Sequence, residues 1–191
     1  MRGTIIMRRF ALGLVAALTL PIIGWAGLSS SASNMPTGKE FITAAAKINL
    51  DEIALGRLAE QKGDNPAIKE FGKRMVEDHS NLEAQLQGVA KAQGLTLPAE
   101  PGAEESSLRE QLSKDSGTQF DQAYIQHMLS GHKQAISDFE NEIELGKNSA
   151  FKSYAEKALP VIQDHIRVAE DVAGKMQLSG KSGLEAPEKA I

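Results

Sequence analysis

Cysteine is missing altogether from the 191 residues. That excludes disulfides, thiolate metal sites and a lipid-modified cysteine at a mature N-terminus. No Gly-x-Ser-x-Gly nucleophile turn and no glycine-rich phosphate loop occurs, so a hydrolase or redox enzyme finds no support among the common motifs. Strand-period segments and low-complexity repeats are absent too, which leaves an all-α chain. Aromatic residues amount to 5%, and the single Trp, Trp25, falls near the N-terminus, outside any candidate domain.

What is there begins with Arg2, Arg8 and Arg9 ahead of one apolar run, from Phe10 to about Ile23, followed by small residues. This order is that of a secretory signal peptide over residues 1–32, with cleavage expected after Ala32, or alternatively Ala26, and with Met7 as an alternative start to Met1. The run is short for a membrane anchor and contains Pro21, so no stable membrane span is expected after its removal. Removal takes Lys and Arg from 21 to 18 against 25 Asp and Glu, a net charge of about −7. An acidic domain of this kind is a poor partner for nucleic acid or an anionic membrane surface. The expected location is periplasmic or secreted, with outer-membrane association left open.

From Thr37 onward the spacing is helical. Thr37 and Glu40 form a capping box, and Phe41, Ala45, Ile48, Glu52, Leu55 and Ala59 recur on one face of a first helix. Gly63 stops it, and Asn65 with Pro66 starts a second helix, from about Pro66 to Gln93, seamed by Ile68, Met75, Leu82 and Val89. Gly94 to Glu105 reads as a long connection, with a short helix from about Glu104 to Lys114 after it. A third long helix runs from near Thr118 to about Gly146. The fourth starts near Ser149 and is expected to kink at Pro160, one turn before His165. The expectation is an up-down-up-down four-helix bundle over residues 33–178, with a disordered tail at 179–191.

Counted from the two tight loops, which that topology places at one end, His79, His132 and His165 differ in depth by only about 3 Å at about 1.5 Å of rise per residue. Glu52 lies one turn off their layer. Three imidazoles and a carboxylate converging from separate helices suit one transition metal ion, Zn, Cu, Fe or Ni, with Asp78 or Asp164 as outer partners. The alternative is a set of core histidines satisfied by one another, by Glu52, by Tyr124 or Tyr154, or by buried water. His127 is turned about 140° from His132 and reads as a partly exposed structural residue. Met75 and Met128 read as core filling, and Glu104, Glu105, Glu140, Glu142 and Glu144 as solvated faces.

Three segments, FITAAAKINLDEIALGRLAEQKGDNPAIKEFGKRMVEDHSN, SGTQFDQAYIQHMLSGHKQAISDFE and KALPVIQDHIRVAEDV, resemble the bacterial domain of unknown function DUF4142 in their order and spacing. The likeness covers about Phe41 to Met176. It implies an exported, ferritin-like bundle with no settled activity, in which Glu52, His79, His132 and His165 match the family's polar core positions. Di-iron bundles carry Glu-x-x-His twice, whereas Val76, Leu129 and Ile162 precede the three histidines here by three residues. No ferroxidase or oxygenase chemistry is therefore expected. The leading reading is a non-enzymatic metal-binding protein serving metal or stress homeostasis, with an envelope protein or a second copy as partner. The alternative is a structural or interaction protein of the cell envelope with a buried histidine network.

Overall fold

The computed structural model describes residues 37–182, with the side chains of all but 103–105 and 177–182. Residues 1–32, expected to be a signal peptide, and residues 183–191 of the expected tail lie outside the described residues. Five helices account for the fold: α1 (Lys39–Lys62), α2 (Pro66–Ala92), α3 (Ala103–Leu112), α4 (Gly117–Leu145) and α5 (Ser149–Ser182). There is no strand among the described residues.

Local chemistry sets most of the boundaries. Asn65 caps α2, its side-chain oxygen accepting the Ala67 N–H at 2.9 Å, with Pro66 at the first helical position, where a missing N–H is harmless. Asn148 does the same for α5, accepting the Ala150 and Phe151 N–H groups. Helix α5 continues through Pro160 and on to Ser182, into the stretch read as tail from Ser179. The start of α1 departs from the capping box expected at Thr37. Gly38 is the N-cap, and its N–H donates at 2.7 Å to Glu142 Oε2 on α4. Glu142 is accordingly fully buried, not solvated as the sequence suggested. A carboxylate at a helix N-terminus meets unpaired N–H groups and the positive end of the helix dipole, so tertiary structure replaces the local cap.

Contacts at the helix ends settle the direction of each helix, and they correct the up-down-up-down order. Asp121, near the start of α4, accepts the N–H groups of Asp64 and Asn65 in the α1–α2 loop at 3.0 and 2.8 Å. At the other end, Glu142 of α4 meets Gly38 before α1, and Asn148 donates to Gln93 after α2 at 2.9 Å. The two tight loops therefore lie at opposite ends, and the long helices run up, down, down, up. The reason lies in the connection between Ala92 and Gly117. It carries α3 and is long enough to return the chain along the full length of α2 before α4 starts. It is pinned on the way by Lys62, whose ammonium donates to the carbonyls of Ser113 and Asp115.

Helix α1 packs on α2 and α4 on α5; α2 also meets α5, and α1 meets α4. The first pair approaches so closely that glycine is needed on both sides. A Cβ at Gly56 would lie 2.6 Å from the Gly72 carbonyl oxygen, and one at Gly72 would lie 2.7 Å from that of Gly56. Two apolar clusters fill the interior. One holds Phe41, Leu82, Leu86, Phe139 and Phe151; the other holds Leu55, Ile68, Phe71, Met75, Phe120 and Met128. Between them in sequence, near the middle of the long helices, lie the buried polar residues Asn49, Glu52, His79, His132 and His165.

Candidate metal centre

His79 stands midway along α2 and His132 and His165 close to the middles of α4 and α5, so their common depth survives the reversal of the topology. The three rings are buried, with relative exposures of 2%, 2% and 0%. Their centroids are 5.1 to 5.9 Å apart. One nitrogen from each ring can be chosen so that all three lie within 4.8 Å of one another.

The outer hydrogen bonds select those nitrogens. His79 donates its Nδ1–H to Asn49 Oδ1 at 3.0 Å. Asn49 is held in that orientation because its amide NH2 faces Glu83 Oε2 and the Tyr154 hydroxyl. His132 donates Nδ1–H to the Met128 carbonyl, one turn back on its own helix, at 2.9 Å. His165 donates Nε2–H to Asp78 Oδ2 at 2.9 Å. A neutral imidazole has one N–H, and each ring has spent its own on an outer oxygen. The remaining lone pairs are on His79 Nε2, His132 Nε2 and His165 Nδ1. His79 Nε2 has no hydrogen-bond partner among the described residues, and the other two face each other at 3.3 Å.

Burial keeps the rings neutral. Desolvation first, then the charge each ring would feel from His165 and His132, pushes His79 well below the usual histidine range. Desolvation and His165 take His132 down to about 4. His165 is also lowered by desolvation, with Asp78 opposing the shift. Desolvation of the carboxyl and the neighbouring charge of Asp51 push Glu52 up to about 8.

The structure brings His79, His132 and His165 together and leaves Glu52 beside them. Its Oε1 is 3.9 Å from His132 Nδ1, the nitrogen turned away from the other rings. Its buried Oε2 has no hydrogen-bond partner among the described residues. Of the outer partners expected, Asp78 serves His165 across the helix interface, not its chain neighbour His79. Asp164 pairs instead with Arg74 and Arg167 at the surface. Sequence reasoning missed Asn49, although it lies three residues before Glu52 on the same inward stripe of α1, which is the signal that identifies it. It also missed buried Asp51, Asp121 and Asp138. A cleft of about 190 Å³ between α1 and α4 is lined by Asn49, Asp51, Glu52, His79, His132 and Asp138, with His127 and Gly131 also on its wall.

Fold and site together define an all-helical domain with a buried centre of three neutral imidazoles. The family model for the domain of unknown function DUF4142 matches residues 26–172, and the chain belongs to that family. No curated protein matches the sequence. A DUF305 protein from Streptomyces coelicolor, described as secreted, has a similar solved fold. Its TM-score is 0.61 at 13% identity, over 72% of this chain and 91% of that one. At that identity the likeness concerns the fold alone. No helix among the described residues is long and apolar enough to cross a membrane.

Proposed function

We propose that this chain is an exported, ferritin-like four-helix bundle that binds one transition metal ion, Zn, Cu, Fe or Ni, through His79, His132 and His165. The observation that carries the reading is that one nitrogen from each of three buried rings lies within 4.8 Å of the others while one nitrogen of every ring faces an outer oxygen. Two lone pairs at 3.3 Å repel unless a cation lies between them, and outer acceptors of this kind orient and strengthen imidazole ligands. Three histidines leave at least one coordination position for another ligand, and Glu52, whose Oε1 is 3.9 Å from His132 Nδ1, is the carboxylate assigned to it in this reading. Export is supported by the Arg-led apolar run at the N-terminus and by the secreted description of the DUF305 protein. With no nucleophile motif and no di-iron ligand set, a binding role in metal or stress homeostasis fits better than catalysis.

The test is elemental analysis of untagged protein from an exporting host, beside a His132→Ala, His165→Ala double variant. Near-stoichiometric metal in the native chain, absent from the variant, is the expected result. Equal metal content in both, or none in either after metal is offered, overturns the reading. The second reading, a metal-free interaction protein of the envelope, draws on the same 3.3 Å contact. One proton shared between the two rings would make it a hydrogen bond. Metal content separates the two.

A further inference from the structure

Resting on the metal reading above, we infer that the cleft between α1 and α4 is the passage by which a divalent cation reaches and leaves the three histidines, with Glu52 as its inner carboxylate. The cleft is the opening that touches both His79 and His132, and its other walls carry the carboxylates of Asp51, Glu52 and Asp138. All three of these residues are buried, at 4%, 6% and 3% exposure. Asp51 and Glu52 are neighbours in sequence, and their like charges act on each other. Carboxyl oxygens spaced along the walls offer a passing divalent cation successive oxygen ligands. The independent sign of a ligand is Glu52, which lines the cleft at 6% exposure and whose buried Oε2 has no hydrogen-bond partner among the described residues.

The opposite side of the centre is taken up by ion pairs. There His165 is backed by Asp78, and Asp78 and Asp164 are both engaged by the Arg74 guanidinium. Those ion pairs occupy the carboxylates on that side, which are then not available to an incoming metal ion. On the cleft side, Gly131 of α4 leaves room: a Cβ built there meets nothing within 4 Å. A larger side chain at this position narrows the cleft, and replacing a helical glycine favours the helix.

Stopped-flow uptake of Co2+ by the full metal-free chain, followed by the cobalt absorption bands, tests the passage in the native protein, Gly131→Leu and Asp138→Asn. Gly131→Leu is expected to slow both uptake and release by about tenfold, with equilibrium affinity unchanged. Asp138→Asn keeps the side-chain shape, and it is expected to slow uptake about tenfold at low salt and less at high salt, as loss of steering requires. Native rates in both variants overturn the passage while the metal reading stands. A native chain that takes up no Co2+ overturns both, which distinguishes the two failures.

Discussion

His132 Nε2 and His165 Nδ1 stand 3.3 Å apart, while the other nitrogen of each ring faces an outer acceptor, the Met128 carbonyl and the Asp78 carboxylate. This pair turns a cluster of core histidines into a candidate ligand set. It also makes the outer acceptors as consequential as the rings.

Asn49 fixes the tautomer of His79. In Asn49→Ala the ring loses that acceptor and is free to turn or to protonate at Nε2. Metal affinity is expected to fall about 10–100-fold, the usual effect of removing an outer partner of a histidine ligand. Competition with a chelator of known affinity measures it. An unchanged affinity would show that His79 is oriented by packing alone.

Stability of the metal-free chain should fall in mild acid. The folded histidines have pKa values below 6.5, with His132 at about 4. As pH drops through 6.5 the unfolded chain takes up protons that the folded chain refuses. The loss begins there and continues towards pH 4, at about 1.4 kcal/mol per pH unit for each ring that stays neutral. Glu52 acts in the opposite direction. Its folded pKa is raised to about 8 from 4.5, so its contribution is complete below 4.5 and is lost as pH rises through 8. Three rings outweigh one carboxyl between pH 6.5 and 5. Urea midpoints are expected to be lower at pH 5 than at pH 7, and a higher midpoint at pH 5 would refute the neutral-ring assignment.

Gly72→Ala should destabilise the α1–α2 pair. Its Cβ would meet the Gly56 carbonyl oxygen at 2.7 Å and the Ala59 Cβ at 2.8 Å, backbone and short side chain that cannot swing aside. Overpacking of this kind costs about 1–3 kcal/mol, more than the gain in helix propensity. Thermal unfolding checks it; a midpoint equal to or above the native one would mean that the helices separate at little cost.

Asp121→Ala removes both acceptors of the α1–α2 loop and leaves the Asp64 and Asn65 N–H groups without them. The expected loss is about 1–3 kcal/mol. Hydrogen exchange should show faster opening at residues 63–66 than at the centre of α2. Protection unchanged in that loop would mean that water replaces the carboxylate fully.

Helical periodicity, caps and breakers were legible in the chain because they depend on neighbours: Asn65-Pro66 starts α2, Gly63 ends α1, and the inward stripes carry Glu52, His79, His132 and His165. The shared depth of the histidines was legible for a related reason. A residue near the middle of its helix keeps its level whichever way that helix runs, so the inference held although the order of directions did not.

The tertiary structure alone decided what depends on atoms far apart in sequence. Direction followed from the path of the long connection, which local spacing does not encode. Glu142 looks like one of a run of surface acids, yet it is buried because it meets the start of α1 across the bundle. Which nitrogen of each ring carries the proton was fixed by Asn49, Met128 and Asp78. Two of these lie on other helices, and hydrogen-bond direction is a property of paired atoms in space. The residue types and their spacing thus supplied three imidazoles at one level, and only the packed structure brought a nitrogen of each within 4.8 Å of the others.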